Sequence, residues 1–152
     1  MSQQGERRVV TLDELVAQLD LIRAEASRLR DLLNQLIAER DLITRAKEGI
    51  DAIVKSSPDS PVLFPLSTGY VALMEAKPQS RDKVIVHLGA DVYAKVDVSE
   101  GLRLLSEEEG QLSRAIEEVA RRLSEVERLQ GQYEAVIQQA LAAAGARSAQ
   151  GK

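Results

Sequence analysis

The side chains with the strongest capacity for chemistry are few in this sequence. It contains one histidine, His87, and no cysteine, so a metal site built from histidine and cysteine ligands is excluded. A serine nucleophile activated by a histidine would have to be built on the same residue. The sequence contains neither a phosphate-binding loop of the Walker type nor a dinucleotide fingerprint. We therefore expect no enzyme, no bound metal and no cofactor.

The other reactive side chains have structural interpretations. Glu107, Glu108 and Glu109 are consecutive within a helical pattern, and such runs usually form a solvated face. Tyr93 and Tyr133 are interpreted as packing residues rather than catalytic ones. The function must therefore be sought in the elements that carry apolar side chains.

The composition favours helix pairing over a compact core. The chain has 152 residues, which fits one domain, but 3% are aromatic while 29% are charged. Acidic and basic residues are interspersed and the net charge is −4, so no basic face for nucleic acid is predicted. No apolar run has the length of a signal peptide or a membrane span. We expect a soluble, cytoplasmic protein that binds neither nucleic acid nor a membrane.

The first element is predicted to be a coiled-coil helix over residues 11–55. Apolar residues recur there at spacings of three and four over about six heptads, which is typical of a coiled coil. Thr11 and Glu14 have the spacing of a capping box, in which each side chain satisfies a free backbone N–H group. Pro58 and Pro61 follow and cannot continue the helix.

A second coiled-coil helix is predicted over residues 99–144, followed by a disordered tail over 145–152 that has little apolar content. The two helices have similar lengths, so an antiparallel hairpin is expected, with pair numbers that sum to about 153. This register brings Lys47 within about a turn of Glu109. The two residues then form either a register-setting ion pair or solvated edge positions.

Four short strand-like runs lie between the helices, at residues 62–66, 70–75, 83–88 and 92–96. They are predicted to form two β-hairpins, with glycine available at each turn. Several runs are apolar on both faces, and isolated hairpins are marginal in water, so neighbouring chains must supply the missing cover. The strand residues expected at this oligomerisation surface are Val71, Leu73, Val84, Ile85, Val86, Val92 and Tyr93.

The fold class predicted from these elements is α+β. It consists of a long antiparallel helical coiled-coil hairpin with two central β-hairpins that form an oligomerisation platform. We treat residues 1–152 as a single domain, with the hairpins at 62–98.

The order of these segments resembles the α-class subunit of prefoldin, also called GimC. The resemblance covers roughly residues 11–144 and rests on three stretches, PVLFPL, GYVALMEA and DKVIVHLGADVYAKVDV. Two hairpins indicate the α class, because β-class subunits carry a single one. The resemblance implies a hexamer of two α and four β subunits, with β-class subunits as partners. It also implies ATP-independent capture of unfolded client polypeptides and hand-over to a group II chaperonin.

Capture is expected where the two helices end together. Unfolded chains expose apolar segments without fixed geometry, so small, adaptable apolar patches suit them better than one shaped pocket. The residues expected to bind unfolded polypeptide at this tip are Leu12, Leu15, Val16, Leu19, Val136, Ile137 and Leu141.

Two other functions fit parts of the pattern. A structural coiled-coil scaffold or tether, without chaperone activity, would explain the heptads alone. A nucleic-acid-binding arm is the weaker alternative, because the tip half of the predicted hairpin is near neutral.

Overall fold

The structure, a computed structural model, describes residues 9–151. It contains two long helices and two small antiparallel β-hairpins, which confirms the predicted fold class. The elements are α1 (Leu12–Lys55), β1 (Val62–Pro65), β2 (Leu73–Ala76), β3 (Lys83–Gly89), β4 (Val92–Asp97) and α2 (Val98–Gln150).

The start of α1 is fixed by the predicted capping box. The backbone N–H of Thr11 donates to Glu14 Oε2 at 3.0 Å, and the backbone N–H of Glu14 donates to Thr11 Oγ1 at 3.2 Å. Both N–H groups would otherwise lack a partner at the helix end. The helix therefore begins where the sequence places it.

The end of α2 differs from the prediction. The sequence predicts a disordered tail from residue 145, but the helix continues to Gln150. The segment AAAGARSAQ consists mainly of alanine with arginine and glutamine, which have high helix propensity, and it has no proline. Its single glycine lowers that propensity without ending the helix.

The described chain divides into two compact units. The first combines the residues before Leu36 with those after Arg114, and the second is Leu36–Arg114. The core of the first unit is an aliphatic cluster formed by both helices, in which Leu29 is 2% exposed. Its members are Ala26, Leu29 and Leu123, with Leu33, Val119 and Val126 packed against them.

Ion pairs across the first unit show that the helices are antiparallel. Arg23 Nη2 lies 3.0 Å from Glu134 Oε1, and Arg30 Nη2 lies 2.7 Å from Glu127 Oε1. Residues with higher numbers in α1 pair with residues with lower numbers in α2. This is the register that the sequence predicts.

The apolar side chains by which α1 and α2 contact each other form a line that we call the seam. In the second unit, polar side chains interrupt the seam. Glu109 accepts a hydrogen bond from Lys47 Nζ at 2.7 Å and another from Thr44 Oγ1 at 2.7 Å. The hydrogen bond from Lys47 and then that from Thr44 lower the pKa of Glu109 below its usual value. The predicted proximity of Lys47 and Glu109 is confirmed, and of the two interpretations left open the structure selects the ion pair.

Arg81 ties the loop before β3 to the end of α1. Its guanidinium donates hydrogen bonds to the carbonyl oxygens of Ile53, Ser56, Pro58 and Ser60. The last carbonyls of a helix have no partner within the helix, and one planar guanidinium supplies several donors at once. The exit from α1 is thus held by a side chain about 28 residues further along the chain.

Each hairpin is a separate two-stranded sheet. In the first, Val62 pairs with Ala76 and Pro65 with Leu73. In the second, Lys83 pairs with Asp97, and a bulge lies between His87 and Gly89. The predicted hairpins are therefore present, although the strand ends differ from those predicted.

The main difference concerns Val71, which the sequence pattern predicts to lie in a strand but which lies in the loop between β1 and β2. Gly69 and Tyr70 both have positive φ, of 103° and 58°, and this turns the chain out of the extended conformation. The backbone N–H of Leu66 donates to the Ala72 carbonyl at 2.9 Å and closes the loop. Strand β2 therefore begins only at Leu73.

Candidate functional site

The first candidate surface is the tip, which we define as residues 9–22 and 135–150. Four of the seven predicted tip residues expose between 37% and 52% of their surface, and these are Leu12, Val16, Val136 and Leu141. They are aliphatic side chains on the outside of two helices whose backbone hydrogen bonds are made internally. The tip therefore offers apolar contact without fixed polar partners.

The remaining three predicted tip residues belong to the seam. Leu19 is 5% exposed and Ile137 is 9% exposed, while Leu15 is half-buried. They pack the two helices together, so they reach another molecule only if the helix ends separate. The structure therefore divides the predicted set into a displayed group and a covered group.

Further exposed residues enlarge the tip surface. Leu21 is 64% exposed, and Val9, which precedes the capping box, is 85% exposed. Sequence reasoning gave Val9 no role. The signal that could have identified Val9 is its position: it is an apolar residue that precedes the helix cap and does not belong to the heptad pattern.

Charge is distributed unequally over the tip. Arg147 is the only charged residue between positions 135 and 151. Glu134, just before this segment, is held by hydrogen bonds from Gln130 and Arg23, which lower the pKa of its carboxyl group. Exposed ion pairs of this kind contribute little to stability, so the tip is held together mainly by its aliphatic seam.

The second candidate surface, the strand surface, consists of the two hairpins. Of the seven residues predicted there, Val86 is 4% exposed and Val84 is half-buried. The other five are exposed, and they are Val71, Leu73, Ile85, Val92 and Tyr93. Most of the predicted assembly residues are thus available to a neighbouring molecule.

The strand surface carries more apolar side chains than the prediction named. Phe64, Leu66 and Met74 are each more than half exposed. Since each sheet has two strands, every strand has one edge without a strand partner in the described chain. Exposed apolar side chains beside free N–H and C=O groups are the features expected of a surface that pairs with another chain.

Gly101 sets how closely the start of α2 approaches β3. It is buried, and a Cβ atom added to it would lie 2.4 Å from Val84 Cγ1. No atom other than hydrogen fits at that distance, so the packing needs a glycine here. No local pattern in the sequence indicates this requirement, because the contact joins elements that meet only in the folded chain.

The only histidine belongs to a ring pair on the strand surface. His87 and Tyr93 are cross-strand partners, with ring centroids 4.9 Å apart. Within residues 9–151 no group of three or more His, Cys, Asp or Glu side chains is placed to hold a metal ion. In the same range, no helix is both long enough and apolar enough to span a membrane.

Comparison with known proteins identifies relatives along almost the whole chain. A family model described as prefoldin subunit matches residues 12–143. A prefoldin subunit alpha from Aeropyrum pernix is 31% identical over 137 residues, which cover 90% of this chain and 89% of the relative. One from Saccharolobus solfataricus is 30% identical over 143 residues, which cover 94% and 95%.

A solved structure has the same fold. It is the cryo-EM structure of filamentous PFD from Methanocaldococcus jannaschii, with a TM-score of 0.65 and 21% identity. The match covers 84% of this chain and 98% of that chain. At this identity the likeness concerns the fold alone.

Proposed function

The chain belongs to the prefoldin family, and from that premise we propose that it is an α-class subunit of an ATP-independent holdase. In this proposal the tip captures unfolded polypeptides, and the strand surface assembles the chain with β-class prefoldin subunits. The assembly contains two α and four β subunits and passes its clients to a group II chaperonin. The observation that carries the proposal is the group of exposed aliphatic side chains at the tip.

The displayed side chains suit a client without fixed structure. Leu12, Val16, Val136 and Leu141 project from helices that need no partner for their backbone, so a client can contact them in many orientations. An extended polypeptide keeps its own backbone groups in water while its apolar side chains are covered. Binding of this kind is weak at each contact and does not require a particular amino-acid sequence in the client.

Separation of the helix ends would enlarge the site. Leu19 and Ile137 would then join the displayed group and increase the apolar area offered to the client. The aliphatic cluster around Leu29 limits how far the separation can extend along the helices. Several tips acting on one client would raise the overall affinity through effective concentration.

Assembly uses the strand surface. Free strand edges pair with other strands in a fixed register, which gives a durable and directional contact. Leu73, Ile85 and Val92 would be covered when such pairing occurs. The same contact would place several tips within reach of one client.

The test replaces tip side chains in the chain assembled with a β-class prefoldin subunit. The triple variant Val16→Ser, Val136→Ser and Leu141→Ser removes exposed aliphatic surface while the helices keep their hydrogen bonds. The matched control is Ile37→Ser, Leu42→Ser and Leu129→Ser, which changes three exposed aliphatic residues outside the tip. Light scattering by an aggregating, chemically denatured enzyme reports protection, and sedimentation reports the assembly.

We expect the tip variant to form the assembly and lose most of its protection, whereas the control keeps both. Equal protection by the two variants would show that the tip is not the capture site. If the unaltered assembly does not slow aggregation at all, the coiled coil acts as a scaffold instead.

A further inference from the structure

Met74 is the most readily oxidised side chain on the strand surface. The chain contains no cysteine and two methionines, of which Met1 precedes the described residues. Among residues 9–151, Met74 therefore carries the only sulfur atom. It lies in β2 and is 55% exposed, so a small oxidant dissolved in water reaches its thioether directly. Apart from Met1, oxidation of this chain at sulfur is confined to one position, and that position lies on the strand surface.

The side chain of Met74 belongs to an apolar face of the first hairpin. Met74 pairs across the sheet with Phe64, and two positions further along each strand Val62 pairs with Ala76. Both pairs lie on the same face, because alternate residues of a strand point to one side of the sheet. Three of these four residues, Val62, Phe64 and Ala76, line a mainly apolar groove of about 360 Å³. Met74 therefore extends the apolar face of this groove toward the loop between β1 and β2.

Methionine suits such a face only in its reduced form. The thioether is apolar and polarisable, and it packs favourably beside an aromatic ring such as that of Phe64. The oxygen of a sulfoxide accepts hydrogen bonds, and water supplies the donors while the face is exposed. When another chain covers the face, this oxygen loses its water, and the side chains of Val62 and Phe64 have no donor to replace it. Oxidation therefore costs little in the separate chain and penalises the covered state.

We propose that Met74 is an oxidation site that controls the assembly of this chain with β-class prefoldin subunits. The oxidant is a hydroperoxide such as hydrogen peroxide. The sulfur lone pair attacks one peroxide oxygen, so that an S–O bond forms while the O–O bond breaks and two electrons pass from sulfur to peroxide. The hydroxide released takes the proton of the transferred OH group, which leaves methionine sulfoxide and water. This inference deepens the proposed function and rests on it, because it names a regulation of the strand surface.

The control acts on chains that are not yet assembled. In a completed assembly the partner strands cover the face of Met74 and keep the oxidant from its sulfur, whereas the separate chain exposes it. Oxidation therefore holds separate chains back while assemblies that have already formed persist. Reduction of the sulfoxide by a thiol-dependent reductase restores the apolar side chain, so the block is reversible.

The test compares the assembly of oxidised and untreated chains with a β-class prefoldin subunit. The full chain is treated with hydrogen peroxide, freed of the oxidant and mixed with the subunit, and analytical ultracentrifugation gives the apparent dissociation constant. Peptide mass spectrometry measures the added oxygen at Met74 and at Met1 separately. We expect the apparent dissociation constant to rise about tenfold or more when Met74 is oxidised, and to return after treatment with methionine sulfoxide reductase.

Three variants separate Met74 from other effects of the oxidant. Met74→Leu keeps an apolar side chain of similar volume and leaves Met1 in place, so the oxidant should not change its assembly. The matched control adds Leu21→Met to this variant, which moves the thioether to a position of α1 that is 64% exposed and lies outside the strand surface. Its sulfoxide should form readily without weakening assembly. Met74→Gln places a polar amide at the same position and should weaken assembly without any oxidant.

Two results would overturn the inference. One is equal assembly of the chain before and after Met74 is oxidised. The other is an equal loss of assembly in oxidised Met74→Leu, which would assign the effect to another residue.

Client protection reports the proposed function separately. If the untreated chain assembles and protects a client while oxidation of Met74 leaves assembly unchanged, only the oxidation inference fails. If oxidation weakens an assembly that protects no client, the oxidation inference holds and the capture function fails. If the untreated chain does not assemble with β-class subunits, the proposed assembly is wrong, and the inference that rests on it is overturned as well.

Discussion

The tip and the strand surface both expose aliphatic side chains, yet they differ in how far their backbone N–H and C=O groups are already hydrogen-bonded. At the tip, residues inside the helices such as Val16 and Val136 have their backbone hydrogen bonds within the helix, so only their side chains offer an interaction. On the strand surface, each of the four strands has one edge of N–H and C=O groups without a strand partner among residues 9–151.

Under the proposed function, this difference would let one chain combine a durable assembly contact with a transient client contact. Side-chain contact alone is adaptable and has no register, as the proposed binding of clients that differ in sequence requires. Strand pairing adds directional hydrogen bonds that fix both register and partner. The contrast predicts different responses to substitution in the two units.

The largest effect on stability is expected from a cavity in the aliphatic core of the first unit. Leu29→Ala removes a side chain that is 2% exposed beside Ala26, which is too small to fill the space. We expect the free energy of unfolding in urea to fall by about 2–5 kcal/mol. Leu21→Ala, at a position that is 64% exposed, should change it by about 0.5 kcal/mol or less. Similar losses at both positions would show that Leu29 is not a core residue.

A smaller effect is expected at the exit of α1 in the second unit. Arg81→Ala removes the donor to the half-buried carbonyl oxygens of Ser56 and Ser60, and we expect a loss of about 1–3 kcal/mol in the free energy of thermal unfolding. Arg81→Lys keeps the charge but has no planar fork, so it should recover part of the loss. Full recovery by lysine would mean that charge, and not the fork geometry, holds the helix end.

The next effect compares a glycine that is required by close packing with a glycine that is not. Gly101→Ala places a Cβ against Val84, and we expect a loss of about 1–2 kcal/mol, partly recovered in the double variant with Val84→Ala. Gly110→Ala meets no atom within 4 Å and should instead stabilise α2 by about 0.5–1 kcal/mol. The same sign of change at both glycines would contradict the close approach of α2 to β3.

The smallest effect concerns pH. The hydrogen bonds from Lys47 and Thr44 hold the pKa of Glu109 below its ordinary value of 4.5. Its contribution to stability is therefore complete above pH 4.5 and is lost as the pH falls through the lower pKa of the folded chain. We expect Glu109→Gln to flatten the fall in stability below pH 4.5, measured by urea unfolding at each pH.

Glu118→Gln is the control for this pH dependence, because Glu118 is an exposed carboxylate of α2 that forms no ion pair within residues 9–151. It should keep the slope of the unaltered chain. A slope that is unchanged in Glu109→Gln would show that the polar interruption of the seam does not contribute to acid sensitivity.

Features that depend on residues close in sequence, or on a repeat sustained along a helix, can be predicted from the amino-acid sequence. The capping box at Thr11 and Glu14, the antiparallel register and the contact of Lys47 with Glu109 were all predictable. Side-chain oxygens reach backbone N–H groups three residues away, and a heptad repeat keeps one face apolar along the whole helix. The existence of both hairpins followed from the same local information.

Which apolar residues are covered depends instead on the packing of the folded chain. Leu19 and Ile137 are buried while Val16 and Val136 are exposed, although all four are aliphatic residues of the same two helices. Burial depends on which side of a helix its partner occupies at that level, and this is fixed by packing. Three other features likewise depend on elements that are distant in sequence, so no local pattern in the sequence predicts them. They are the loop position of Val71, the hydrogen bond from Arg81 to Ser56 and the close packing beside Gly101.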